Sequence, residues 1–229
     1  MIFNFKTKTM QQLFYILLII HIISATIGLI SGTLQMFRKK GDIVHKRVGK
    51  YFFFGMLVTG ISGILMTFIH ENLFLLIIGV FTIYMFSTGQ RFLSLKLISL
   101  KTPPQKIDWI LSITMLIFGF GFIIYGLFFL INSNSFGSVL IVFGIISTIM
   151  SLQDFKIYKG KSKIKNIWLL IHIQRMIGAY IAAVTAFLVV NNTYLPSILA
   201  WLLPSVIIVP FIILWSRKYK ISLKYLSKQ

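Results

Sequence analysis

Four histidines and one arginine, set within or beside apolar segments, are the residues of this chain whose types could do chemistry. The imidazole of histidine changes charge near neutral pH and can bind a metal. An arginine guanidinium offers five donors that fit a carboxylate or a phosphate. The candidate residues for binding a ligand are His21, Gln35, His45, His172 and Arg175.

The same residues allow a redox site as an alternative. Histidine pairs within helical bundles are the usual axial ligands of haem iron. His45 and His172 are therefore the alternative ligands of a haem b, in a haem or quinone electron-transfer protein. A metal ion held by these histidines with Asp154 or Asp42 is a further alternative.

The rest of the composition disfavours an enzyme. The absence of cysteine excludes disulfides, thiol catalysis and cysteine-ligated metal sites. Only four residues are acidic, and none is predicted in the middle of an apolar run, so no carboxylate pair is available for acid–base catalysis. A non-enzymatic role is favoured over a hydrolase. The acidic residues are Asp42, Glu71, Asp108 and Asp154.

The elements that must position these residues are membrane spans. The 229 residues are 57% hydrophobic and 12% charged, whereas soluble domains are about 45–50% apolar and about 25% charged. Seven apolar runs are each about 20 residues or longer, the length that a spanning helix needs. The first run is nearer 24 residues, which favours an uncleaved span over a signal peptide. The predicted spans are 13–37, 47–69, 73–95, 107–131, 136–154, 166–190 and 195–216.

These spans predict an all-α polytopic bundle that forms a single membrane domain over residues 1–229. The formal net charge of +19 lies in the connections between apolar runs. No polar domain exists to carry nucleic-acid binding, so the bilayer and its anionic lipid headgroups are the expected partners. A small-molecule ligand is the other expected partner.

The distribution of positive charge predicts the topology. Of the 23 basic residues, all except Lys6, Lys8 and Arg175 lie in or beside the first, third and fifth connections or in the C-terminal tail. Because basic residues are retained on the cytoplasmic side, seven spans put the N-terminus outside and the C-terminus inside. The expected location is the cytoplasmic, or bacterial inner, membrane as a multi-pass protein.

Helical spacing assigns the candidate residues to faces. His21 shares one face of the first span with several small residues and Gln35, and the second span carries a similar small-residue face, so the two spans are predicted to pack together. Arg175 lies about 15 Å along the sixth span from Lys165. It is expected to extend toward the cytoplasm or to pair with Asp154, with Asp42 and Asp108 as other candidates.

Four motifs give a resemblance to a family of bacterial polytopic membrane proteins of unknown function. They are a histidine in the first span, Gly-x-x-Gln at its end, His-Arg-x-x-Gly-x-x-Tyr after a basic loop, and a later His-x-x-x-Met-x-x-x-Tyr. The chain departs from the third motif at Lys46, where arginine is expected, and at Phe52, where tyrosine is expected. The resemblance implies a membrane fold and no particular activity. The matching residues are His21, Gly32, Gln35, His45, Gly49, His172, Met176 and Tyr180.

Three functional interpretations follow. In the first, the His, Arg and Gln residues form a polar cluster near the cytoplasmic ends of spans one, two and six and bind a ligand or an anionic lipid. In the second, the histidines hold haem or act on a quinone. In the third, the protein is structural or accessory and the polar residues set helix packing, because interhelical hydrogen bonds stabilise bundles by about 0.6–2 kcal/mol each.

Overall fold

The computed structural model describes residues 2–96, 103–162 and 164–220. They form an all-α fold, as predicted. Lys101, Lys163, Lys224 and Lys228 of the predicted charge pattern lie outside the described residues. The described helices are α1 (Ile2–Phe37), α2 (Ile43–Thr67), α3 (Leu73–Ser94), α4 (Lys106–Ile131), α5 (Gly137–Tyr158), α6 (Ile167–Asn191) and α7 (Ser197–Tyr219).

Each of these helices is long and apolar enough to cross a membrane. Their spanning stretches run from 21 to 29 residues, and about 20 residues are enough for a hydrocarbon core about 30 Å thick. Large apolar side chains such as Ile16, Ile117 and Val206 remain exposed on the helix surfaces, as expected for side chains that face lipid. The chain is therefore a multi-pass integral membrane protein.

Two helix boundaries differ from the prediction in ways that matter for function. Helix α2 begins at Ile43 rather than at residue 47, because Asp42 caps its first turn. Helix α5 continues to Tyr158, a full turn past the predicted end at residue 154. Asp154, at the predicted end of the fifth span, therefore lies inside α5, one turn before its end, and is completely buried.

The chain divides into two compact units. Unit 1 comprises Met1–Ile83 and Ala179–Ser205, and unit 2 comprises Tyr84–Gly178 and Val206–Gln229. The divisions fall within α3, α6 and α7.

Close packing of small residues joins α1 to α2 in unit 1, as predicted. A Cβ atom added at Gly55 would lie 2.9 Å from the backbone nitrogen of Gly28 and 3.0 Å from the carbonyl oxygen of Ser24. A Cβ atom added at Gly28 would lie 2.7 Å from the sulfur of Met56. Only glycine allows the two backbones to approach this closely.

Unit 2 uses the same device in its α4–α5 hairpin and adds an aromatic core. A Cβ atom at Gly144 would lie 2.7 Å from the carbonyl oxygen of Gly119. Near the ends of α3 and α5, the Phe92 and Tyr158 rings stack with centroids 5.9 Å apart. This packing fixes α3, α4 and α5 around the charged residues described below.

Candidate functional site

The turn between α1 and α2 is a compact, hydrogen-bonded structure. Gly41 has a φ of +86°, a left-handed conformation that favours glycine. The Lys40 ammonium donates to the carbonyl oxygens of Gln35 and Met36 and so caps the C-terminal end of α1, where cations are stabilising. Partial burial lowers the pKa of Lys40.

Asp42 fixes the other side of this turn as the N-cap of α2. Its carboxylate accepts a hydrogen bond of 2.6 Å from the backbone N–H of His45. It also lies 3.8 Å from the Arg38 guanidinium. The hydrogen bond from His45 is the main reason that the pKa of Asp42 is lowered, and the positive charge of Arg38 lowers it further.

The structure brings the predicted residues Gln35 and His45 together at this turn. The Gln35 side-chain nitrogen donates to the His45 carbonyl oxygen over 2.6 Å. A Cβ atom at Gly49 would lie 3.1 Å from the same nitrogen, so glycine leaves the room that the amide occupies. The Gln35 Oε1 atom is buried and accepts no hydrogen bond from the described residues.

Exposed cations surround the turn. Lys46, Arg47 and Lys50 occupy the first two turns of α2 and are exposed. Within the described residues none of these three side chains forms an ion pair or a hydrogen bond. The one carboxylate of the turn is already engaged by the cap and by Arg38. The turn therefore presents a surplus of positive charge.

His21 lies elsewhere in unit 1 and is held by α2. Its Nδ1 atom donates to the carbonyl oxygen of Thr59 over 3.1 Å and lies 3.3 Å from the Ser62 hydroxyl. Ser24 adds a 2.9 Å hydrogen bond to the Thr59 hydroxyl. These contacts join α1 to α2, which is a packing role for a half-buried histidine.

Unit 2 contains a fully buried ion pair. Arg175 on α6 is 1% exposed, and Asp154 on α5 is 0% exposed. The Arg175 Nη2 atom lies 2.8 Å from the Asp154 carboxylate and 3.2 Å from the Met150 carbonyl oxygen. Of the two alternatives for Arg175, pairing with Asp154 is confirmed.

Hydroxyl groups extend this ion pair into a chain. Tyr84 on α3 donates to Asp154 over 2.6 Å, and Ser112 on α4 donates to the same carboxylate oxygen over 3.0 Å. The Ser112 hydroxyl lies 3.1 Å from the Tyr158 hydroxyl. Asp154 is therefore the point at which hydrogen bonds from α3, α4 and α6 meet on α5.

A second ion pair lies at the ends of α3 and α4. Arg91 holds both carboxylate oxygens of Asp108, over 2.7 and 2.9 Å. Asp108 also accepts from the backbone N–H of Gln105, which completes the cap of α4. The Tyr158 hydroxyl lies 3.4 Å from the Asp108 carbonyl oxygen and so connects the two pairs.

Two buried polar atoms near the Arg175–Asp154 pair form no hydrogen bond within the described residues. The Arg175 Nη1 atom and the Ser151 hydroxyl are buried and have no hydrogen-bond partner in the described part of the chain. The Arg175 guanidinium also lies over the Tyr84 ring, 4.7 Å from its centroid, which gives cation–π stabilisation. Buried polar groups are normally satisfied, so each exception needs an explanation.

His172 lies one turn before Arg175 on α6. Its Nδ1 atom donates to the Gly89 carbonyl oxygen over 2.8 Å, which leaves Nε2 as the acceptor of the neutral ring. A Cβ atom at Gly89 would lie 3.0 Å from the Arg175 Cβ and 3.1 Å from the Met176 sulfur. The structure thus brings His172 and Arg175 together against Gly89.

The predicted residues therefore occupy three settings. Gln35 and His45 meet at the α1–α2 turn, His21 lies between α1 and α2, and His172 and Arg175 lie in unit 2. Among the described residues, no group of three or more histidine and acidic side chains is arranged to hold a metal ion. The haem hypothesis for His45 and His172 stays a prediction.

The hydroxyl groups that surround the Arg175–Asp154 pair were not predicted from the sequence. Their spacing carries a usable signal, because Asp108 and Ser112, and likewise Asp154 and Tyr158, are four residues apart and share a helix face. Tyr84 lies seven residues before Arg91, so these two share a face of α3.

No known protein family, curated protein or solved structure matches this chain.

Proposed function

We propose that this protein is a non-enzymatic membrane protein of the cytoplasmic membrane that binds anionic lipid headgroups at the α1–α2 turn. The observation that carries the proposal is the unpaired positive charge of Lys46, Arg47 and Lys50 beside Gln35 and His45. Clusters of basic residues next to a membrane span attract anionic lipids by about 1 kcal/mol for each cation near the surface.

The position of these cations on α2 supports an anionic partner. The N-terminal end of a helix carries partial positive charge that falls off within the first turn, so of these cations it disfavours chiefly Lys46. Lys46 and Lys50 are also four residues apart, a spacing at which like charges destabilise a helix by about 0.2–0.5 kcal/mol. A phosphate group near the surface of these turns would offset both effects.

The turn is a better anion site than Arg175. The Arg175 guanidinium is 1% exposed and already neutralised by Asp154. An anion added there would place an uncompensated negative charge within the bundle, which is costly. The cations of the turn are exposed and need no desolvation of a buried pair. Phe37 and Ile43, 87% and 75% exposed, flank the turn with apolar surface suited to the membrane interface.

The proposal requires the turn to face the cytoplasmic leaflet, where anionic lipids create a negative surface potential. Because these 229 residues include no cysteine, single introduced cysteines report the topology. A cysteine at Asn134 should react with an impermeant reagent from outside, and one at Lys161 should react only after the membrane is opened. The reverse pattern would contradict the orientation.

Lipid binding can be tested with purified protein in neutral detergent. Short-chain phosphatidylglycerol should raise the unfolding temperature, whereas phosphatidylcholine, which is neutral overall, should not. At a lipid concentration about 100 times the dissociation constant, the expected stabilisation is about 2.7 kcal/mol. Added salt should weaken it, because exposed charges are screened.

A matched pair of triple variants separates a specific site from general charge attraction. K46Q/R47Q/K50Q removes three exposed cations from α2, and K156Q/K159Q/K161Q removes three exposed cations at the α5–α6 connection. The first variant should lose the response to phosphatidylglycerol and the second should keep it. Equal losses in both variants would refute a site at the α1–α2 turn.

A further inference from the structure

We propose that Asp154 is a proton-binding site within the membrane, supplied through the hydroxyls of Tyr158 and Ser112. This site lies in unit 2, whereas the residues of the α1–α2 turn belong to unit 1. The juxtaposition that carries the proposal is a continuous line of oxygen atoms that ends on a buried carboxylate.

The distances along this line are short enough for proton transfer. The Tyr158 hydroxyl lies 3.1 Å from the Ser112 hydroxyl, which lies 3.0 Å from the Asp154 carboxylate. Each hydroxyl can donate one hydrogen and accept another. Buried acidic residues take part in proton relays of membrane pumps and transporters, and here two hydroxyls lead to such a residue.

The line begins near the helix ends of unit 2. Tyr158 is the last residue of α5 and lies beside Asp108 in the first turn of α4. Arg91, which pairs with Asp108, has a side chain that is 26% exposed. Asp154 lies four residues deeper along α5, about 6 Å by helix rise.

A purely structural role explains this arrangement less well. A buried ion pair often stabilises no more than apolar side chains of similar volume would. The Arg175 Nη1 atom and the Ser151 hydroxyl also have no hydrogen-bond partner among the described residues. The proposal gives these donors a use in a second arrangement of the pair.

Proton uptake supplies that second arrangement. A proton from water at the helix ends passes to the Tyr158 oxygen, whose own hydrogen passes to Ser112. The hydrogen of the Ser112 hydroxyl then passes to Asp154, so each hydroxyl ends with one hydrogen and the carboxylate becomes a neutral acid. The ion pair is thereby lost, and Arg175 is free to change partner.

The groups that face Asp154 set the balance of charge around this step. Arg175 on α6 favours the carboxylate, and the Tyr84 and Ser112 hydroxyls on α3 and α4 donate to it. Asp108, on the same helix as Ser112, is the nearby acidic group, and Arg91 neutralises it. One proton at Asp154 therefore changes the net charge of the buried pair from zero to plus one.

Infrared difference spectroscopy of the full-length protein in bilayers, recorded after a downward pH step, tests the proposal. The wild type should lose a carboxylate band and gain a carboxylic acid band. D154N should lack these two band changes, which form the Asp154 component of the spectrum. E71Q, which removes an exposed carboxylate, should keep them. If D154N fails to fold because Arg175 is left unpaired, D154N/R175Q removes both charges and decides the question.

The relay has its own test. S112A should retain the Asp154 component but slow its appearance by about 100-fold, the lower end of what a positioned proton donor contributes to a transfer step. S138A, which changes a serine outside the network, should leave the rate unchanged. An Asp154 component that is absent from the wild type, or that appears as fast in S112A, would overturn the proposal.

Discussion

Among the described residues, unit 2 buries charged side chains and unit 1 does not. In unit 1, the polar side chains that are fully buried in the described residues are neutral, such as Ser24, Ser62 and Thr82, and the charges of the α1–α2 turn stay at its surface. In unit 2, Asp108, Asp154 and Arg175 are all buried. The exposed cations of the turn suit binding of a lipid headgroup, and the buried ion pair of unit 2 suits binding of a proton within the helices.

The largest expected effect comes from breaking the buried pair. R175Q leaves the Asp154 carboxylate without its cation and should lower the free energy of unfolding by about 3–5 kcal/mol. D154N/R175Q removes both charges and should lose clearly less. Reversible unfolding in mixed micelles measures both values. A double variant as unstable as R175Q would show that the instability of R175Q does not come from the unpaired Asp154 carboxylate.

A smaller effect tests whether the hydroxyl groups belong to the same network. Y84F removes the 2.6 Å hydrogen bond to Asp154 and should lower the free energy of unfolding by about 1.5–3 kcal/mol, the range for hydrogen bonds to charged groups. Y125F removes the hydroxyl of a tyrosine that is 45% exposed and serves as the control. Equal stability of the two variants would show that the hydrogen bond from Tyr84 to Asp154 does not stabilise the fold.

The corresponding test in unit 1 addresses its small-residue packing. G55A adds a Cβ atom that meets backbone atoms of Gly28 and Ser24, so it should destabilise the protein by about 1–3 kcal/mol. G121A on α4 meets nothing within 4 Å and should be neutral or slightly stabilising, because alanine favours a helix. Similar unfolding temperatures for these variants would contradict the close approach of α1 and α2.

The smallest effect is the pH dependence of the turn. The pKa of Asp42 is lower in the folded state, chiefly through the hydrogen bond from His45. Its stabilising contribution is therefore present above the unfolded-state pKa and is lost as the pH falls through the folded-state pKa. D42N should be less stable than the wild type at neutral pH, and the difference should vanish in acid. A difference that stays constant with pH would contradict the charged cap.

The sequence predicted the elements better than their ends. Hydropathy locates seven spans because the bilayer sets their length, but it ended the fifth span at 154, where Gln153, Asp154 and Lys156 interrupt the apolar run. The helix continues because Asp154 is buried and paired and Tyr158 packs on Phe92. Hydropathy alone cannot detect such compensation.

Partners were harder to predict than positions. The pairing of Arg175 with Asp154 could be inferred because few carboxylates exist to choose from. Residue spacing could assign the hydroxyls to helix faces but could not predict that they meet, since they come from α3, α4 and α5 and their contact depends on the packing of three helices. Gln35 and His45 were predicted as candidate binding residues on either side of one loop, and their direct hydrogen bond depends on the fold of the turn.

Lipid binding at the α1–α2 turn is tested most directly by comparing the unfolding temperatures of two variants with and without phosphatidylglycerol. D154N/R175Q, altered only in unit 2, should unfold at a lower temperature than the wild type yet keep the full lipid-dependent rise. K46Q/R47Q/K50Q should match the wild type or exceed it without lipid and show no rise. Loss of the rise in the unit 2 variant together with its retention in the turn variant would contradict a lipid site at the turn, because lipid binding would then depend on the Arg175–Asp154 pair.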